Sequence, residues 1–199
     1  MHQNLVEEKM GTEKEGLSRQ LTIVGRGECG KTSILRRFFK NEFHDMVNAT
    51  PIESEELNFI IKNKNFKLKI WDTCGQEDFS RFRALTIPMS DYVIICFSVC
   101  DSGSFFEVED TLAPMIKEKA KPNTKIILVA TKIDLRDDNC ITTEEGQVLA
   151  ERIKALKYIE CSSLTGFNIS EIFEIIKEDM YQNVRSKDGF FSSLFNCCN

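Results

Sequence analysis

The sequence predicts an α/β fold in three layers: a six-stranded, mostly parallel sheet with one antiparallel strand and helices on both faces. Three observations carry that expectation. Short β-type apolar runs alternate with longer helical patterns along the chain, the rhythm of βα units. A glycine-rich loop, Gly25-Arg26-Gly27-Glu28-Cys29-Gly30-Lys31-Thr32, joins the first strand directly to the first helix. Two neighbouring runs, Leu57 to Ile61 and Phe66 to Trp71, flank a short polar stretch, which makes them an antiparallel hairpin turning at Asn63-Lys64.

In chain order, Met1 to Ser18 is polar and charged without a sustained period and reads as a flexible extension (residues 1–18). The folded domain is expected over residues 19–185. Its strands are Gln20 to Val24, Leu57 to Ile61, Phe66 to Trp71, Tyr92 to Val99, Lys125 to Ala130 and Tyr158 to Glu160. Helices are expected at Lys31 to Lys40, Ser104 to Lys119, Thr143 to Leu156 and Asn168 to Val184. The last shows apolar residues at three- and four-residue spacing (Ile169, Ile172, Phe173, Ile176, Met180). Residues 186–199 end in apolar residues and a cysteine pair and read as a tail.

Composition narrows the function. The chain has 199 residues, 42% of them hydrophobic and 29% charged, enough for one domain with a sizeable core. A net charge of -5 supplies no positive field for nucleic acid, so none is expected as a partner. The longest apolar run, Tyr92 to Val99, is far short of the ~20 residues that span a bilayer, and the charged N-terminus lacks a signal-peptide core. The expected location is cytoplasmic. The 8 cysteines are scattered and show no paired Cys-x-x-Cys, which points to reduced thiols with neither a disulfide framework nor a zinc site.

The loop matches G-x-x-x-x-G-K-[ST]. Its glycines let the backbone wrap phosphates so that N–H groups and the helix N-terminus face the oxygens. Lys31 supplies a charge to the β- and γ-phosphates, and Thr32, followed by Ser33, offers a hydroxyl suited to octahedral Mg²⁺. An ordinary glycine turn is the plain alternative. Cys29 lies near Lys31 at a helix N-terminus, which lowers a thiol pKa when no phosphate is present, while a small buried hydrophobe is the blander role. Glu28 puts an acid in the same loop. It either points to solvent and pairs with a nearby base or weakens nucleotide binding by repelling phosphate.

Further segments resemble the Ras superfamily of small GTPases over roughly Arg19 to Val184. Trp71-Asp72-Thr73-Cys74-Gly75-Gln76-Glu77 looks like its D-x-x-G-Q element. That resemblance implies that Asp72 holds Mg²⁺ through water, the Gly75 N–H reaches the γ-phosphate and Gln76 orients the attacking water. Thr131-Lys132-Ile133-Asp134-Leu135 resembles the guanine-reading N/T-K-x-D element. Asp134 would accept hydrogen bonds from guanine, Lys132 lie along the base, and Thr131 hold this loop to the phosphate loop. Cys161-Ser162-Ser163-Leu164 is similar to the S-A-K loop, with the Ser163 N–H meeting the guanine oxygen and Leu164 in place of lysine. Phe43 matches the aromatic that packs on the base, and Thr50 the threonine that ligates Mg²⁺ when a γ-phosphate is present.

Within the superfamily the likeness is greatest to the Rho and Rac branch, through Gln76-Glu77-Asp78-Phe79, Cys96-Phe97-Ser98, Ile133-Asp134-Leu135-Arg136 and Glu160-Cys161-Ser162. Departures accompany it. Only Asp137 to Thr142 separate Arg136 from the next helix, where Rho proteins carry an extra short helix, so partners that read that insert are not expected. Val47, Ala49 and Pro51 alter switch I. Cys197-Cys198-Asn199 resembles the doubly prenylated ends of the Rab branch, which implies lipidation of Cys197 and Cys198 and attachment to the cytosolic face of a membrane.

The resemblance implies a molecular switch that binds GTP and GDP with Mg²⁺ as cofactor. It would hydrolyse GTP slowly through Lys31, Thr50 and Gln76, served by an exchange factor, an activating protein and effectors in signalling, of cytoskeletal or membrane dynamics. The alternative is a GTP-locked binding module with little turnover. A phosphate-loop kinase is a third reading, in which Asp134 and the switch elements have no role.

Overall fold

The computed structural model describes residues 17–44, 53–73 and 84–195. Six strands, β1 (Leu17–Gly25), β2 (Glu53–Ile61), β3 (Lys64–Asp72), β4 (Tyr92–Ser98), β5 (Lys125–Thr131) and β6 (Lys157–Glu160), form one sheet in the order β2-β3-β1-β4-β5-β6. Every neighbouring pair is parallel except β2 with β3. The helices are α1 (Lys31–Lys40), α2 (Ser102–Glu107), α3 (Ala113–Lys119), α4 (Thr143–Arg152) and α5 (Ile169–Phe195).

Strand geometry sends successive side chains to opposite faces, and the core divides accordingly. Leu21, Ile23, Ile94, Cys96, Ile127 and Val129 pack with Ile34 and Leu35 of α1 and Ile172, Phe173, Ile176 and Met180 of α5. Their neighbours Val24, Val93, Ile95, Phe97, Leu128 and Ala130 pack on the other face with Leu112, Ile116 and Leu149. All of β4 is buried, which is why Tyr92 to Ser98 reads as an unbroken apolar run. Phe38 stacks on Phe173 at 3.9 Å between ring centroids and ties α1 to α5.

Strand β2 starts at Glu53 rather than Leu57, its first residues pairing with Ile70 to Asp72 of β3, and four further departures have structural causes. The hairpin turns at Lys62-Asn63, one residue earlier than expected. Both have positive φ (47° and 61°), as a two-residue turn of primed type requires, and Lys64 already pairs with Ile61. Strand β1 starts at Leu17, inside the expected extension, because pairing with Phe66 and Lys67 recruits Leu17 and Ser18. Helix α4 stops at Arg152 rather than Leu156, since Lys154 adopts φ 57° and Leu156 N–H donates to the Ile126 carbonyl (2.7 Å), turning the chain into β6. Its start carries a reciprocal capping box between Thr142 and Glu145.

The fourth departure is α5, which runs to Phe195 instead of ending at Val184. No proline interrupts it, and the single Gly189 costs only about 1 kcal/mol of helix propensity. The helix expected from Ser104 to Lys119 is present but broken by a π turn, Val108–Leu112. Pro114, at the start of α3, has no N–H to donate back, and the wider turn absorbs that loss.

Candidate nucleotide site

After β1 the chain passes through α1 to β2 and β3 on one side of it and then crosses to β4 on the other, so the carboxyl end of β1 is the switch point where open α/β sheets bind ligands. Gly25 closes β1 there, opposite Cys96. A Cβ on Gly25 would lie 2.4 Å from the Cys96 carbonyl oxygen and 2.8 Å from Cys29 Sγ, so no side chain fits. Gly30 caps α1 at φ 96°, in the left-handed region, without a side-chain cap, so the N–H groups of the helix start are left to the loop.

Lys31 is only 5% exposed. Its ammonium donates to the carbonyls of Gly25 (2.9 Å) and Arg26 (2.7 Å), with Cys29 Sγ at 3.8 Å, so the charge sits in the curve of the loop. Burial pushes the Cys29 thiol pKa up despite the opposing pull of Lys31, which overturns the lowered value that its place at the helix N-terminus suggests. Cys29 is a buried core residue. Glu28 is exposed at φ 62° and makes no ion pair with another described residue; the pairing with a nearby base is not found.

Thr32 Oγ1 donates to Asp72 Oδ2 at 2.7 Å, and Asp72 is 4% exposed. These are hard oxygen donors at the mouth of the loop, and the described residues contain no cluster of three or more His, Cys, Asp or Glu. The pair therefore fits an ion that takes one or two protein oxygens and completes its octahedron with phosphate and water, the habit of Mg²⁺. Thr73 Oγ1 donates to the Ile23 carbonyl (2.6 Å) and pins the end of β3 beside β1. Ser33 follows on α1, half-buried, and Phe43 lies half-buried just beyond that helix.

At the end of β5, Thr131 is buried and its hydroxyl lies 2.6 Å from the Cys29 carbonyl and 3.1 Å from that of Phe97. The expected tie between base loop and phosphate loop is thus present. Lys132 follows at φ 59° and caps a short 3-10 turn, Ile133–Leu135, that carries Asp134 into solvent. Ile133 N–H reaches the Cys161 carbonyl (3.4 Å), which brings Ser162 and Ser163 alongside. Both serines are buried, whereas Leu135 (59%) and Leu164 (50%) are exposed at the rim. Of the expected site residues, Thr50, Gly75, Gln76, Cys197 and Cys198 lie outside the described residues, as do Val47, Ala49 and Pro51.

Sequence reasoning missed the bracket behind the base loop. Arg136 makes a two-pronged contact with Glu160 (3.0 and 2.6 Å), and Tyr158 donates to the same carboxylate at 2.8 Å. Burial works to raise the Glu160 carboxyl, but the Arg136 and Tyr158 hydrogen bonds outweigh it and hold it below the ordinary carboxylate range. Removing the cation by Arg136→Met is expected to cost about 2 kcal/mol and lower Tm by ~4–8 °C. Because the folded pKa is depressed, this contribution is present above the unfolded value of ~4.3 and is lost as pH falls through the folded one. Melting curves of both proteins should converge once pH falls below the depressed folded pKa of Glu160. A gap unchanged by pH would assign the loss to packing instead of charge.

Comparison with known proteins accords with this geometry. The model of the Ras family matches residues 20–182. The chain is 35% identical over 194 residues to the Rho-related GTP-binding protein RhoB of Homo sapiens, and equally to those of Mus musculus and Rattus norvegicus, covering 92% of this chain and 97% of each relative. With the strand order, the phosphate loop and the base loop all in place, the chain belongs to the Ras family, as a small GTPase near the Rho branch.

Proposed function

We propose that the chain binds GTP and GDP, hydrolyses GTP slowly with help from an activating protein, and offers different switch surfaces to effectors in the two states. The observation that carries this is the convergence at one sheet edge of Lys31, the Thr32–Asp72 oxygen pair and the Thr131 bridge from phosphate loop to base loop. Lys31 neutralises phosphate charge while the loop carbonyls hold its ammonium in place. Asp134 selects guanine by accepting two N–H donors, and Ser163 N–H meets the guanine oxygen. Thr32 and Asp72, with Thr50, hold Mg²⁺, which when bound screens the charge between the β- and γ-phosphates. Gln76 orients the attacking water, and the Gly75 N–H and Thr50 register the γ-phosphate. No arginine lies between Phe43 and Pro51, so the charge that speeds hydrolysis comes from the activating protein.

Single-turnover phosphate release tests this reading. The expected rate is roughly 10⁻⁴ to 10⁻³ per second, falling about tenfold in Gln76→Leu. Bound GTP that persists equally in both proteins, with or without a candidate activator, would identify a GTP-locked binding module. An exchange factor and effectors are expected to separate by capture on GDP-loaded and GTP-analogue-loaded protein.

No helix among the described residues is long and apolar enough to cross a membrane. Membrane attachment is assigned instead to lipid on Cys197 and Cys198, since two chains give stable anchoring where one is marginal. Intact mass of protein from its own cells should show two added isoprenoids and a share of the protein on cytosol-facing membrane. Two free thiols on protein that never pellets with membrane would remove the anchor.

A further inference from the structure

Cys100 follows β4, and Cys140 lies 40 residues on, in the short connection between Arg136 and α4. Their sulfurs are 3.0 Å apart. Both thiols also donate toward one acceptor, the Leu135 carbonyl, from 3.3 Å and 3.9 Å. The backbone holds the two segments in that position. Ile141 N–H donates to the Val99 carbonyl (2.9 Å), and Val99 N–H to the Thr131 carbonyl (3.1 Å), so the residues flanking the cysteines are stitched together beside the end of β5. Cys140 N–H is fixed in turn by the Asp137 carbonyl (3.2 Å).

The other described cysteines, Cys29, Cys96 and Cys161, are buried, whereas Cys100 is exposed and Cys140 partly so. A disulfide needs sulfurs ~2.05 Å apart, so closure asks for roughly 1 Å of approach between side chains whose neighbours Val99 and Ile141 are already bonded through the backbone.

We propose that Cys100 and Cys140 are an oxidisable pair whose disulfide straps the base-reading turn, Ile133–Leu135, and slows nucleotide exit. The strap stands on the cysteine geometry alone; its effect on exit rests on the nucleotide-binding reading above. With hydrogen peroxide as oxidant, one thiolate attacks a peroxide oxygen, giving a sulfenic acid and one water. The second sulfur then displaces the sulfenyl hydroxyl as a second water. Two electrons pass from the sulfurs to the peroxide, both thiol protons leave in water, and a dithiol reductant reverses the step.

Partial desolvation, with the hydrogen bond and charge of the adjoining Cys140, raises the Cys100 thiol pKa to about 11. At neutral pH the pair is therefore held as thiols and reacts slowly, in contrast to a low-pKa peroxide sensor. Closure would join β4 to the far side of the base loop and enclose β5 and the Thr131–Asp134 segment in one covalent ring.

The test uses the full chain loaded with fluorescent GDP, treated with hydrogen peroxide and mapped by mass spectrometry without reduction. A Cys100–Cys140 cross-linked peptide lacking two hydrogens is expected, with Tm about 5 to 15 °C above the reduced protein. GDP release should slow several-fold in oxidised wild type and recover with dithiothreitol, whereas Cys140→Ser and Cys100→Ser should show neither change. Sulfinic acid on one cysteine without the cross-link would overturn the pair. A cross-link that leaves GDP release unchanged would overturn the strap's effect on exit. If the chain bound no guanine nucleotide, the cross-link and the melting shift would still decide the disulfide, so the two failures are distinguishable.

Discussion

Asp134→Asn is expected to weaken GDP and GTP binding by about 10²- to 10⁴-fold and to abolish the preference for guanine over adenine. The carboxylate stands on a turn held from three sides: Leu135 N–H donates to the Lys132 carbonyl (2.9 Å), Ile133 N–H approaches the Cys161 carbonyl, and Thr131 is bonded to the phosphate loop. In the proposed site it would accept the ring N–H and the exocyclic amine of guanine together. Each hydrogen bond to a charged acceptor is worth ~1.5–3 kcal/mol, and two give the stated range. Asparagine offers one acceptor and sets its own amide donor against a guanine donor. A base with a carbonyl in place of the amine should recover affinity, so titrations with guanine, adenine and xanthine diphosphates form one decisive set. Wild-type discrimination in the variant would move guanine recognition away from Asp134.

Glu28 gives the second large effect, through charge and backbone together. At φ 62° it occupies a conformation that costs a side-chain-bearing residue roughly 1–2 kcal/mol relative to glycine. Its carboxylate also stands in the loop that wraps the phosphates. At ~5 Å from a phosphate and an effective dielectric of 20 to 80, the repulsion is roughly 0.8 to 3 kcal/mol. That predicts several-fold to about a hundredfold faster GDP release than in a neutral variant. Glu28→Gln removes the charge alone and should slow release by that factor. Glu28→Gly removes the strain as well and should raise Tm by ~2–8 °C. Release rates equal in wild type and Glu28→Gln, at matched Mg²⁺ and salt, would leave the residue electrostatically idle and return control of exchange to a partner.

Much of this site is legible in the sequence because its parts are local. Gly25 to Thr32 carries its meaning in eight consecutive residues, and the unbroken apolar run of β4 announces a strand buried on both sides. What stayed hidden depends on partners distant along the chain. The Arg136–Glu160 bracket spans 24 residues and the Cys100–Cys140 approach 40, with no spacing rule to announce either. Cys29 takes the role of a small buried hydrophobe that the sequence allows, but the direction of its thiol pKa is hidden for the same reason: helix start and lysine are visible locally, while the burial that outweighs them comes from strands and helices elsewhere. The end of α4 was misplaced because helical spacing persists through Ile153 and Leu156, while the pull of Leu156 onto Ile126 belongs to the sheet.

The Thr131 hydroxyl has one proton and two carbonyls within reach, those of Cys29 and Phe97. While the proton points to Cys29, the base loop and the phosphate loop are joined, and in the proposed nucleotide complex both ends of the ligand would rest on that joined pair. Neither end can then peel away first without breaking a buried bond. That bond would couple the loss of the two ends by the ~0.5–1.5 kcal/mol a single hydrogen bond contributes, and a proton turned toward Phe97 would remove the coupling.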